Sequence, residues 1–299
     1  MVLNRFSGGT DDQEVATRVR EAFRSAGAVA EVRIGDSSEE VAAITREAAS
    51  GPSDVVVAGG GDGTIGSVAS VLADSEKTLG VLPLGTLNHF AKDLAIPLDL
   101  VGAARNVLEG RVTKVDVGEV NGRTFVNNSS LGLYPRIVRH REERREQLGW
   151  GKWPAFVWAT LHALHRHRSL DLVLTVDGRE IHRRTPFVFV GNNAYEMEGF
   201  DIGTRDRLDR GELSVYLAPR ARPLDLVFLG LRALLRRLRD ATGFEFLRAT
   251  ELRIMTCGDR ARVATDGEVA LLPTPLRYRV RRLALSVIVP GEQENEGTR

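Results

Sequence analysis

The chain has 299 residues, of which 42% are hydrophobic, enough for a large core and for two domains. Its 41 basic and 40 acidic residues leave a formal charge of +1, which excludes a chain built as a strongly basic nucleic-acid binder. A single cysteine, Cys257, rules out an intrachain disulfide and suits a reducing cytoplasm.

The first half alternates between strand and helix patterns. "MVLNRF" reads as a short strand. Asp11 to Ala26 reads as a helix, with Val15, Val19 and Phe23 four residues apart and Gly27 as its stop. "AVAEVRI" reads as a strand, "SSEEVAAITREAAS" as a helix with a Ser cap, "DVVVAGG" as a buried strand and "TIGSVASVLAD" as a helix. "TLGVLPLGT" is a further strand, and "NHFAKDLAI" begins a helix that Pro97 stops. This order predicts a doubly wound, mostly parallel sheet.

Beyond about residue 112 the pattern becomes β-rich. "KVDVGEVNGRTFVNNSSLG", "LDLVLTVDGREIHRRTPFVFVGNN", "GELSVYLAP", "ELRIMTCGDRARVATDGE" and "LRYRVRRLALSVIVP" carry alternation and turn signals. "VNGRT" and "VDGRE" read as hairpin turns. Helices are expected near 153–167 and 223–239. The predicted organisation is an α/β nucleotide-binding domain over 1–117, a β-rich, sandwich-like domain over 118–289 and a polar tail over 290–299. The last strand is free to return toward the first domain.

"GGGDGT" lies at the carboxyl end of one strand and the amino end of the next helix, where sheets of this kind place ligands. Backbone N–H groups there favour a phosphate. GxxxxGK[ST] occurs nowhere, and the strand after the GxGxxG match lacks the acid that a dinucleotide site requires. A carboxylate, Asp62, beside phosphates makes sense with Mg2+ between them. The competing reading is a tight turn that needs its glycines. A second strand-to-helix turn, "LPLGTLNHF", adds Gly85, Thr86 and the Asn88 amide, so the two turns together make a composite site for phosphate and ribose.

These motifs resemble the diacylglycerol kinase catalytic-domain family, in particular bacterial soluble lipid kinases, whose fold is shared with NAD kinases and 6-phosphofructokinases. The resemblance runs over nearly the whole chain through "LNRFSGG", "GGGDGT", "PLGTLNHFA", "KVDVGEVNGRTFVNNSSLG" and "ATDGE". It implies an ATP- and Mg2+-dependent lipid kinase with its active site in the cleft between the domains. Gly60, Gly61, Asp62, Gly63 and Thr64 would hold the ATP phosphates. Gly85, Thr86 and Asn88 would complete the nucleotide site, and Asn4 and Ser7 would flank it. Asp62 and Asp116 would serve Mg2+, through water. Asp266 would be the general base on the lipid hydroxyl, with Glu268 beside it.

Three positions depart from the family pattern, the first being Gly35-Asp36, where the threonine that the resemblance implies as an ATP contact is not evident. His89 stands where many members carry Asp, with Asp93 one turn on. Arg210 stands in the Leu208–Leu213 loop where the family has an acid of a structural metal site, so no ion is expected there and the guanidinium is a candidate replacement. Other readings are a kinase of a soluble acceptor, such as a sugar or NAD, and a nucleotide-binding regulatory protein that has lost catalysis. Trp150, Trp153 and Trp158, with the basic stretches around them, read either as a lipid-interface element or as a helix covering the β domain. The amphipathic stretch 224–239 reads either as a membrane-surface element or as a surface helix with a solvated basic face. Peripheral contact with the inner face of the membrane through 150–165 and 224–239 is thus the expected membrane partner. No nucleic-acid partner is expected.

Overall fold

The computed structural model describes residues 1–4, 12–132, 169–195, 197–198, 201–202, 204–217 and 245–291. The helices expected near 153–167 and 223–239, and both candidate membrane segments, lie outside these residues. Among the described residues no helix is long and apolar enough to cross a membrane. The chain divides into two compact units: Met1–Val117 together with the chain from Arg282 onward, and Gly118–Arg281. The final strand returns residues 282–289 to the first unit.

In the first unit β1 (Val2–Asn4), β2 (Arg33–Gly35), β3 (Val55–Gly60) and β4 (Thr78–Pro83) run parallel in the order β2-β1-β3-β4. The last strand, β18 (Leu276–Val289), joins beside β4 through Ser286 and Val287, also in parallel. Val56, Val57 and Ala58 are buried in succession, as expected of a strand covered on both faces. The covering layers are helical. α1 (Asp12–Ser25) packs with α5 (Leu100–Glu109), and α2 (Ser38–Ser50) with α3 (Asp62–Leu72). Val19, Ala22, Phe23, Ala103, Ala104 and Val107 close the core against Val57, Leu82 and Ile288.

Three local expectations are corrected. The strand expected over "AVAEVRI" shrinks to β2, because Val29 is 99% exposed and buries nothing. The helix from Asn88 is the five-residue α4 (His89–Asp93), which ends before Ala95 takes φ +54. Helix α5 was not foreseen, although Asp99 caps it by accepting the Gly102 N–H at 2.8 Å.

The second unit is an antiparallel β-sandwich. Its strands are β6 (Arg123–Phe125), β7 (Asn128–Gly132), β8 (Leu170–Val176), β9 (Arg179–Thr185), β10 (Phe187–Asn192), β13 (Leu213–Leu217), β14 (Glu245–Ala249), β15 (Glu251–Thr256), β16 (Arg260–Thr265) and β17 (Glu268–Pro273). A short hairpin, β11 (Met197–Glu198) with β12 (Asp201–Ile202), stands apart. One sheet runs β14-β13-β10-β7-β16-β17. The other runs from the first part of β18 through β15 and β8 to β9. Leu131, Val188, Val190, Leu213, Val215 and Val263 from the first sheet meet Leu172, Leu174, Leu252, Ile254, Leu276 and Tyr278 from the second. β14 was also unforeseen from the sequence.

β5 (Arg111–Val120) and β18 pair and both run through the division between the units. Alternation in β18 breaks at Leu283, where φ is +49, so that Ala284 and Leu285 are buried in succession. The fully buried carboxylate of Asp116 accepts the Leu283 N–H at 2.8 Å and pins this bulge.

Candidate functional site

The order β2-β1-β3-β4 reverses its winding between β1 and β3, and open sheets of this kind take ligands at that point, outside the carboxyl ends of the strands. Asn4 ends β1 there, and Gly60 ends β3 in register with Pro83 of β4. Gly61 caps α3, so the first-turn N–H groups of an 11-residue helix open onto the same end of the sheet. Gly63 is half-buried and Thr64 is buried, with its side chain against Gly60. Ser7 lies outside the described residues.

The two glycine loops touch. A Cβ on Gly85 would overlap the Gly61 Cα and lie 2.9 Å from Asn88 Oδ1. Only glycine at 85 permits this approach. Asp62 ties the loops a second time: its carboxylate accepts the His89 N–H at 3.2 Å and the Phe90 N–H at 3.1 Å. Asp62 is thus the first residue of α3 and, in space, an N-terminal cap for α4. The contact at position 89 comes from the backbone, which histidine supplies as well as aspartate would.

Asn88 is largely turned inward. It is 7% exposed, sits at φ +51, accepts the Gly85 N–H at 3.0 Å and donates to the carbonyls of Gly85 at 2.9 Å and Pro83 at 3.2 Å. Its amide shapes the loop that presents Thr86, which is exposed. Among the described residues no group of three or more His, Cys, Asp or Glu is arranged to hold a metal ion. Mg2+ bound between phosphates needs only one or two protein carboxylates, so Asp62 fits that duty. Asp116, the other carboxylate expected to serve Mg2+ through water, accepts the Leu283 N–H through Oδ1.

In the second unit Asp266 and Gly267 form the two-residue turn between β16 and β17, with φ of +46 and +91. The Asp266 carboxylate accepts three backbone N–H groups: Val126 at 2.7 Å, Asn127 at 2.9 Å and Asn128 at 3.1 Å. Its own N–H donates to the Asn128 carbonyl at 2.9 Å. Glu268 stands two residues on and faces Arg123 at 3.6 Å.

Sequence reasoning missed what lies behind this turn. Arg205 is 2% exposed; it donates to the carbonyls of Val126 at 2.7 Å and Asn192 at 2.9 Å and to Asn127 Oδ1 at 2.8 Å. Its guanidinium lies 5.0 Å from the centre of the Tyr195 ring. The Asn192 amide donates to the Val126 carbonyl and the Tyr195 hydroxyl to the Asn127 carbonyl. "TRDRLDR" reads as a solvated charged loop, and nothing in its spacing singles out Arg205.

In the Leu208–Leu213 loop the cation bonded to Asp209 is Arg207, not Arg210. It makes a bidentate pair at 2.8 and 2.9 Å that holds the Asp209 carboxyl below its usual range. Arg210 itself is exposed and uses its backbone N–H to bond Asn193 Oδ1.

The first unit is thus a doubly wound domain with paired glycine loops at its switch point, and the second an antiparallel sandwich. Residues 1–120 match the diacylglycerol kinase catalytic domain. Residues 138–289 match the YegS C-terminal NAD kinase beta sandwich-like domain. The sandwich match spans half of the chain, which belongs to the YegS family that carries it behind a diacylglycerol kinase catalytic domain. A diacylglycerol kinase of Staphylococcus aureus strain Newman is 28% identical over 212 residues, which cover 70% of this chain and 65% of that protein's length. A crystal structure of a diacylglycerol kinase from Bacillus anthracis strain Sterne superposes with a TM-score of 0.71 at 21% identity, over 96% of this chain and 95% of that one. Yeast NADH kinase complexed with NADH gives 0.55 at 13% identity, over 100% of this chain and 89% of its own. These two structures share the fold.

Proposed function

We propose that the protein is an ATP-dependent lipid kinase that transfers the γ-phosphoryl group of ATP to the hydroxyl of diacylglycerol or a related lipid alcohol. The observation that carries this reading is the clamp of Asp62 across two glycine loops at the switch point. Phosphoryl transfer needs positioning and charge neutralisation more than covalent help. Backbone N–H groups of Gly61, Gly63 and Thr64 would meet the phosphates, and Thr86 would close the site from the second loop. Asn4 and Ser7 would flank it. Asp62 would hold Mg2+ together with the phosphates, and the ion would neutralise charge developing on the transferred group.

Asp266 would take the proton of the acceptor hydroxyl as that oxygen attacks phosphorus, with Glu268 and Arg123 beside it. Its three N–H donors hold the carboxylate in one orientation. In a loose transition state the acceptor proton leaves late, so a carboxylate held in place is enough to receive it.

The experiment is transfer of label from γ-³²P-ATP over a panel of lipids in detergent, run beside NAD and sugar acceptors. Label in an organic-extractable product supports the proposal. Label in a water-soluble product replaces it with a soluble-acceptor kinase. ATP binding without transfer to any acceptor would point to a regulatory protein.

A further inference from the structure

Two peptide units separate Arg205 from Asp266, and each is bonded on both sides. The unit joining Val126 and Asn127 receives Arg205 Nη1 on its carbonyl at 2.7 Å and gives its N–H to Asp266 Oδ1 at 2.9 Å. The unit joining Asn127 and Asn128 receives the Tyr195 hydroxyl and the Asn192 N–H on its carbonyl, at 3.0 and 2.9 Å. Its own N–H goes to Asp266 Oδ1 at 3.1 Å. A donor on a carbonyl polarises the peptide and makes its N–H a stronger donor, more so where water is excluded. Arg205 is that donor with a full charge, and it is buried. A buried guanidinium is costly unless it has an anionic counterpart.

We propose that Arg205 is the positioning residue of Asp266: through the 126–128 peptides it fixes the orientation of the carboxylate and stabilises its charge. The charged side chains on the elements around the turn are Arg123, Arg260, Arg262 and Glu268. Glu268 is offset by Arg123, while Arg260 and Arg262 are exposed and screened. Asp206 and Arg207 flank Arg205, and Arg207 is engaged with Asp209. Among the described residues Arg205 is therefore the buried cation bonded to a peptide that holds Asp266, the unit of Val126 and Asn127.

This role rests on Asp266 being the base, but its test does not need turnover. The Asp266 carboxyl carbon is followed by ¹³C NMR as pH is varied, with Asp266→Asn assigning the resonance. Arg205→Gln keeps hydrogen-bond donors and removes the charge. Its titration midpoint should rise by about half a pH unit or more, since loss of a nearby opposite charge disfavours the carboxylate. Arg205→Lys should return it most of the way. If Arg205→Gln does not fold, Tyr195→Phe removes the donor on the second peptide, and the midpoint should rise less but in the same direction. A folded variant of either kind with an unchanged midpoint overturns the proposal. In the kinase assay the acid limb of kcat/KM should move with the midpoint. Absence of any kinase activity would defeat the functional reading and leave the titration result standing.

Discussion

Gly85→Ala is the sharpest probe of the paired loops. The added carbon would overlap the Gly61 Cα, lie 3.2 Å from the Gly61 nitrogen and press on Asn88 Oδ1 at 2.9 Å. Carbon atoms rest about 3.5–4.0 Å apart, so the loops must part by about an ångström. The bonds from His89 and Phe90 to Asp62 are already 3.2 and 3.1 Å long and cannot follow. Overpacking of this kind costs about 1–3 kcal/mol. The reverse substitution is the control: a Cβ on Gly61 meets the Gly85 Cα at 3.5 Å, an ordinary contact, at φ −85 and ψ −177 that alanine adopts freely. Denaturant unfolding should therefore show Gly85→Ala destabilised by about 1–3 kcal/mol and Gly61→Ala by less than about 0.5. Calorimetry should show ATP affinity reduced at least about tenfold in the first, since a lost 1.4 kcal/mol is tenfold. Equal stability and equal ATP affinity in the two variants would refute the account of a loop contact that requires glycine at one position only.

Asp62→Ala should abolish turnover and cost about 1–2 kcal/mol of stability, because α4 loses its cap; unchanged kcat with Mg-ATP would remove Asp62 from the site. Asp266→Asn puts an amide where three N–H donors converge, so one donor meets another and stability should fall by about 1–3 kcal/mol. Transfer should fall by about 10²–10⁴-fold while ATP binding is kept, and near-normal turnover in the folded variant would end its role as base. For Asp177, burial pushes the carboxyl up, but bonds from the Glu251 N–H, the Thr250 hydroxyl and the Thr250 N–H outweigh it and hold it below its ordinary value. A depressed carboxyl stabilises the fold above its unfolded pKa of about 3.9 and loses that contribution as pH falls through the folded value. The stability gap between wild type and Asp177→Asn, read by thermal melts from pH 6 to pH 3, should narrow as pH falls; a constant gap would contradict the assignment.

The glycine loops were legible in the sequence because they punctuate strand-to-helix junctions, and a five-residue cluster of glycine and acid has few other uses. That the sheet is doubly wound and mostly parallel followed from the alternation of strand and helix patterns. What stayed hidden was long-range. That Asp62 caps a helix 27 residues away depends on β3 and β4 lying side by side, which periodicity does not encode. Helix α5 escaped because its buried face is made of Ala103, Ala104, Asn106 and Val107, too small and too polar to show as an apolar stripe. Arg205 escaped for a stronger reason. Arginine is rarely buried, and here the carbonyls of Val126 and Asn192 and the Asn127 side-chain oxygen help make its burial tolerable.

The sandwich repeats one device three times. Asn121-Gly122, Asp177-Gly178 and Asp266-Gly267 are two-residue turns with positive φ at both positions. In each, the first side chain reaches across to neighbouring backbone: Asn121 to Arg277 and Pro273, Asp177 to Thr250 and Glu251, Asp266 to residues 126–128. Two of the three turns thus do with Asn or an exposed Asp what structure alone requires. Had Asp266 the same task only, it too could be met by a neutral side chain on an exposed edge, with nothing charged behind it. Its distinction is that the peptides it holds are bonded on their far side by a buried arginine, an asparagine and a tyrosine. On the proposal made above, that buried guanidinium supports the charge of Asp266 and not only its shape, a task that neither Asn121 nor Asp177 is given.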